Sequence, residues 1–259
     1  MKLYYQQIGE GQPLVIIHGL FGSSDNWRSM ARYFSRFYQV VSLDLRNHGL
    51  SPHSDNQDFA VMAEDVHELC LRLELGKVHV LGHSLGGKVA MQFASSYPEL
   101  VAKLVVVDIS PRQYFSEHTP LMDAMMSLDL AQFDSRSEVD KALSAKISDK
   151  TVRQFLLMNL QADNGELKWR INLPALKANY QRLMAAVCEN TELHMPSLFV
   201  YGELSEYVTA EDQKLIQQRF KQATFESIDK AGHWVHAEKP QQFKHVVEDF
   251  LTQDPENLS

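Results

Sequence analysis

Short runs of wholly apolar residues recur along the chain, and most give way to segments whose apolar positions repeat every three or four residues. LVIIHG (14–19) precedes NWRSMARYFSRF (26–37), and QVVSLDL (39–45) precedes a loop and FAVMAEDVHELCLRLEL (59–75). VHVLGH (78–83) precedes LGGKVAMQFASSY (85–97), and LVVVDIS (104–110) follows. Near the end, SLFVYGE (197–203) leads to AEDQKLIQQRF (210–220), and ATFESID (223–229) leads to PQQFKHVVEDFL (240–251). A strand that is apolar at every residue is buried on both faces. The alternation therefore predicts an α/β fold, a mostly parallel sheet with helices on both sides. In such sheets, sites form in the loops beyond the C-terminal ends of the strands.

The alternation stops between Pro111 and Pro196. LMDAMMSLDLAQF and VRQFLLMNL carry helical spacing, with turn signals at Asp163-Asn164-Gly165 and Pro174, and no convincing strand pattern. This predicts a core made of residues 1–110 and 196–259, interrupted by an inserted helical cap over 111–195. Leu121, Met122, Met125, Met126, Leu128 and Leu130 repeat at three and four. Most of them should glue the cap to the core. Some should face the cleft, where methionine makes an adaptable apolar wall.

One run ends in chemistry. Gly82-His83-Ser84-Leu85-Gly86 fits the G-x-S-x-G elbow, in which a serine is held out on a strained strand-to-helix turn. A serine between glycines is also what a plain turn looks like, but this one follows an apolar strand and opens a helix. A serine hydroxyl needs a base to take its proton, and in this chain order the base comes last. His233, in KAGHWVHAEKP after the last strand, fits, with Gly232 leaving its loop free to aim the ring. His236 is the rival and is read as structural. Two backbone N–H groups must hold the developing oxyanion. Leu85, at a helix N-terminus, supplies one, and Leu20 in HGLFGSS (18–24) the other. Phe21 and Trp234, beside the oxyanion loop and the base, are the aromatic residues expected to touch substrate.

Composition narrows the partners. The 259 residues carry a formal net charge of −8, the wrong sign for nucleic acid. No segment approaches the roughly 20 apolar residues of a membrane span. The first residues, MKLYYQQIGEGQP, lack an apolar stretch of signal-peptide length, so a cytoplasmic protein is expected. Cys70 and Cys188 lie in apolar patterns read as helical and are expected to be buried thiols. No metal is expected, because there is no H-E-x-x-H helix and no cysteine cluster. HGLFGSS has neither the lysine of a phosphate loop nor dinucleotide spacing. Oligomeric state leaves no mark on this sequence.

HGLFGSSDNW, SLDLRNHGLSP, GHSLGGKVAM, VVDISPRQY and GHWVHAEKP, in that order, resemble the α/β-hydrolase superfamily, and within it the bacterial YbfF-type esterases of the abhydrolase-domain group. The resemblance implies a sheet of about eight strands, short here by one at its start, with a cap inserted after the sixth. It implies hydrolysis of carboxylic esters and thioesters, acyl-CoA in some members, without a cofactor. Most such hydrolases carry the triad acid in a G-x-x-D pattern after the cap, where this chain has Gly202-Glu203-Leu204-Ser205. Asp108, Glu203, Glu206 and Asp229 are the candidates to orient His233 in its stead. Asp108 ends the strand expected beside that of Ser84, and the YbfF-type VVDIxP aspartate maps onto it. Its bland alternative is a helix cap for the insertion.

Other polar residues are read as structural. An Arg46–Asp44 ion pair should stiffen the loop after QVVSLDL, and His18, His48 and His83 should pack, His83 beneath the elbow. Arg112 is either solvated or a contact for an acyl carboxylate or CoA. The expected function is thus a serine esterase or thioesterase acting on a small-molecule substrate. A C–C bond hydrolase or lyase on the same fold, and a non-catalytic ligand binder, are the alternatives.

Overall fold

The structure is a computed structural model that describes residues 1–115 and 118–253. The chain first lays down β1 (Tyr5–Ile8), β2 (Pro13–Ile17), α1 (Arg28–Phe34), β3 (Gln39–Leu43), α2 (Phe59–Arg72), β4 (Val78–His83), α3 (Leu85–Ser96) and β5 (Val101–Val107). An insertion follows, with α4 (Thr119–Met126), α5 (Arg136–Leu143), α6 (Lys150–Leu157), β6 (Leu160–Asp163), β7 (Glu166–Trp169), α7 (Leu173–Ala178) and α8 (Tyr180–Leu183). The chain then returns through β8 (Ser197–Gly202), α9 (Ala210–Arg219), β9 (Ala223–Ile228), α10 (Val235–Glu238) and α11 (Pro240–Thr252).

The main sheet has the order β1-β3-β2-β4-β5-β8-β9, parallel except for β1, which runs antiparallel to β3. Seven strands pair in this sheet among the described residues, as expected of a sheet of about eight that is short by one at its start. Alternate strand residues feed two apolar layers, as a period of two requires. Val15, Ile17 and Val80 pack with Phe59, Met62, Val66 and Phe93 of α2 and α3. Leu14, Ile16 and Leu81 pack with Phe34 of α1 and Phe243 and Val247 of α11. With both faces covered, the parallel strands converge on one edge where their C-terminal loops gather.

The insertion differs from the expected all-helical segment. β6 and β7 pair as an antiparallel hairpin around Asn164 (φ 52°) and Gly165 (φ 87°). Both turn residues are left-handed, as a tight two-residue hairpin demands. Most hairpin residues are exposed or half-buried, so no apolar run announces the strands. Cys188 also departs from its expected helix. It sits in a turn at φ 55°, though it is buried like Cys70, and burial pushes both thiols up to about 12. No helix among the described residues is long and apolar enough to cross a membrane.

Candidate active site

β4 and β5 lie in register with His83 opposite Val107, so Ser84 and Asp108 leave adjacent strands side by side. Ser84 sits at φ 53°, ψ −118°, a strained backbone held by its N–H to the Val107 carbonyl (2.9 Å). The flanking glycines make the bend possible. A Cβ on Gly82 would fall 2.2 Å from the Gly86 carbonyl oxygen, and one on Gly86 would fall 2.4 Å from those of Ile17 and His18. Leu85 opens α3, and the N–H of a first helical residue has no partner within its helix.

Asp108 is fully buried, and its carboxylate makes three hydrogen-bond contacts. Oδ2 faces His233 Nδ1 at 2.7 Å and accepts from the Ser205 hydroxyl at 2.5 Å, while Oδ1 accepts from the Gly202 N–H at 3.1 Å. The residue at the usual acid position, Ser205, is thus bonded to the carboxylate on the neighbouring strand. Asp108 caps no helix: α4 begins at Thr119, with His118 as its N-cap. The other carboxylates lie elsewhere. Glu203 accepts from the Lys230 N–H (2.8 Å), and Glu206 and Asp229 are exposed. The His233 ring stacks on Tyr207 at 4.1 Å between centroids.

The remaining histidines of this edge hold structure. His236 is buried and stacked on Trp27 at 4.1 Å, and burial pushes its pKa down to about 3. His83 Nε2 meets the His233 carbonyl at 2.9 Å, so the ring beneath the elbow also ties down the loop that carries His233. His18 Nε2 accepts from the Leu45 N–H (3.0 Å), which leaves Nδ1 to donate to the Gly19 carbonyl (2.8 Å). The Arg46–Asp44 pair is absent. Arg46 makes a two-pronged bond to Asp65 on α2 (2.6 and 2.9 Å), and Asp44 instead accepts the N–H groups of Ser24 (2.7 Å) and Leu50 (2.8 Å). A buried carboxylate already serving two backbone donors, one in its own loop and one in the loop after β2, has no need of the adjacent guanidinium.

A cavity of about 260 Å³ opens between the sheet edge and the insertion. Ser84, His233, Leu20, Leu85, Phe21 and Trp234 all line it. No hydrogen bond uses the Leu20 N–H among the described residues, leaving it available beside that of Leu85. The adjoining Phe21 has φ 62°, and its carbonyl accepts from the buried Asn159 amide at 2.8 Å, so the insertion braces the loop of Leu20. Trp234 packs against Phe155 at 5.5 Å.

The far wall comes from Leu121, Val152, Phe155, Leu156, Leu183 and Met184. Of the six apolar residues of 121–130, Leu121 faces the cleft, and none of the three methionines does. Met122 and Met125 are buried in the core, and Met126 is largely exposed. Arg112 does not line the cavity; its Nε pairs with Asp212 (2.7 Å), and its guanidinium lies 3.9 Å over Tyr114.

Asn159, His118 and the bonding role of Ser205 escaped the sequence reading. Only Ser205 left a signal there, as the break in G-x-x-D. His118 lines the cavity from the insertion, with Nδ1 2.7 Å from the Tyr180 hydroxyl. No group of three or more metal-ligating side chains gathers among the described residues.

Comparison with known proteins agrees with this architecture. Residues 12–240 match the family described as alpha/beta hydrolase fold. The sn-1-specific diacylglycerol lipase ABHD11 of Danio rerio is 38% identical over 252 residues, 94% of this chain and 79% of that protein. Esterase YbfF of Escherichia coli is 32% identical over 240 residues, 92% of both chains. Among solved structures, a marine microorganism esterase aligns with a TM-score of 0.94 at 38% identity, covering 96% of this chain and 99% of its own.

Proposed function

The chain belongs to the alpha/beta hydrolase fold family and is a carboxylic ester hydrolase, and from that premise we propose that it cleaves esters or acyl thioesters, acyl-CoA included, through a Ser84–His233–Asp108 triad. The observation that carries this reading is the 2.7 Å contact between His233 Nδ1 and Asp108, at the edge where Ser84 and His233 line one cavity. A carboxylate on Nδ1 keeps that nitrogen protonated and leaves Nε2 free to take a proton.

Ser84 Oγ attacks the substrate carbonyl while His233 Nε2 accepts its proton. The Leu20 and Leu85 N–H groups hold the oxyanion, and the buried Asp108 carboxylate stabilises the imidazolium. The alcohol or thiol departs with the proton from His233. Water then attacks the acyl–Ser84 ester through the same base, which regenerates the enzyme. Residues 111–195 act as a lid whose apolar wall receives small to medium acyl groups, with Phe21 and Trp234 against the substrate. Two buried free thiols suit a reducing compartment, in keeping with a place in the cytoplasm.

The test is hydrolysis of p-nitrophenyl esters across an acyl-length series, with acyl-CoA thioesters alongside and Ser84→Ala in parallel. Native turnover is expected to fall by on the order of 10⁴ or more in the variant. A folded native protein that turns over none of these would refute the reading and direct the search to C–C bonds or to ligand binding.

A further inference from the structure

We infer that Lys88 is a positioning residue that sets the reach of the acyl cavity, by fastening both stems of the insertion to the helix behind Ser84. Lys88 lies one helical turn after Ser84, its N–H bonded to the Ser84 carbonyl at 3.1 Å. It is 2% exposed, and its side chain reaches the cavity. An ammonium buried this deeply would ordinarily face a carboxylate. Here it faces carbonyls: that of Arg112 at 2.7 Å, that of Ala185 and, more distantly, that of Met184 at 3.4 Å.

Those carbonyls belong to the two places where the chain leaves and rejoins the core. Arg112 stands on the outgoing stem, and Met184 and Ala185 on the returning one, just beyond α8. The stems also bond to each other, Tyr114 N–H to the Met184 carbonyl and Val187 N–H to that of Pro111, both at 2.9 Å. From α9, Arg219 grips the far side, donating to the Val187 carbonyl at 2.7 Å. Lys88 is therefore the member of this junction that comes from the first turn of the elbow helix; further along α3, the Met91 carbonyl accepts from the Cys188 thiol at 3.2 Å. Burial first, and then the Arg112 and Arg219 guanidiniums, push its pKa down to about 7. With two or three protons it still has a hydrogen for each of its two closer carbonyls.

The junction bears on substrate because Tyr114, Leu183 and Met184, which flank the gripped carbonyls, line the cavity. The Tyr114 ring also lies 5.0 Å from the ammonium. Ser84 and Asp108 stand at the ends of their strands, and the stems reach the triad only at one remove, where the Tyr114 hydroxyl donates to the carbonyl of Tyr207, whose ring stacks on His233. Loosening the junction should thus act on acyl groups long enough to reach that wall more than on the shortest ones.

This inference rests on the ester-hydrolase reading of the cavity, and its test separates the two. Lys88→Met keeps the length and removes the donors, and Lys88→Gln restores donors and guards against a Met variant that does not fold. For the longest p-nitrophenyl ester that the native enzyme accepts, kcat/KM should fall about tenfold more than for the acetate, mainly through KM. Lys88→Gln should lie between the two. Hydrogen exchange of segments 110–115 and 183–188 should quicken in Lys88→Met while the amides of α3 stay protected. A length profile that keeps its native shape, or a kcat loss equal at every length, would overturn the inference. So would stems that exchange at the native rate. If the native enzyme cleaves no ester, the function reading fails, and the exchange measurement still decides whether Lys88 holds the stems.

Discussion

Replacing Asp108 by asparagine keeps the volume of a fully buried side chain and removes only its charge and half its accepting capacity. The native carboxylate serves three donors, His233 Nδ1 and the Ser205 hydroxyl on Oδ2 and the Gly202 N–H on Oδ1. An amide can face them in two ways. With its oxygen toward Gly202, the NH₂ points at His233 and forces Nδ1 to accept, so Nε2 carries a proton and cannot take one from Ser84. With its oxygen toward His233, the tautomer survives, but the NH₂ confronts the Gly202 N–H. An unsatisfied buried donor costs about 1–3 kcal/mol. That cost makes the first orientation compete well. In either one, the imidazolium that forms in the reaction has lost its counter-charge. A triad template loses about 10⁴ in kcat under this change, roughly 5 kcal/mol of barrier. The expected result is therefore a fall of about 10³–10⁴ in kcat with KM within about threefold of native, measured on the best p-nitrophenyl ester. Glu203→Gln and Glu206→Gln, whose side chains lie away from His233, should keep kcat within about threefold. A loss under tenfold in Asp108→Asn, or a larger loss in either glutamate variant, would refute the assignment of the acid.

Two further outcomes follow from the same geometry. Ser205→Ala removes one of the two donors on Asp108 Oδ2 and leaves His233 in place, so kcat should fall by roughly tenfold, the worth of one hydrogen bond to a charged group; an unchanged kcat would mean that Ser205 only fills space. Stability should drop on mild acidification, because burial holds His18 down to about 4 and His48 and His236 down to about 3. Below the unfolded value near 6.5, the unfolded chain binds protons that the folded one refuses, so the contribution is present above that pH and is lost as pH falls. At pH 5 each such histidine costs about 2 kcal/mol, on the order of 6 together, a large share of an ordinary folding free energy. Urea unfolding at pH 7, 6 and 5 should show the midpoint falling steeply, less so in His236→Phe, which can keep the stack on Trp27; a midpoint flat across that range would contradict the argument.

What was legible in the chain divides by the range of the interaction. Strands buried on both faces show as apolar runs, and the elbow shows as a five-residue pattern, because the forces that shape them act within a few residues. Asp108 could be singled out because it ends a strand, and β5 does lie beside β4. The methionines of 122–126 showed the period of a buried face, but a period does not say what covers that face, and it was the core. Arg46 has Asp44 two residues before it along the chain, whereas its partner Asp65 stands 19 residues away on α2. The hairpin of β6 and β7 left only its Asn164-Gly165 turn, since its strands bury too little to write an alternation. Ser205 is the sharpest instance. Along the chain it reads as an acid that has been lost; across the sheet, β8 lies next to β5, and the serine stands within 2.5 Å of the carboxylate on that neighbouring strand. A departure from a linear motif can therefore be the second half of a pair whose first half lies 97 residues earlier, and only the order of strands in the sheet brings the halves together.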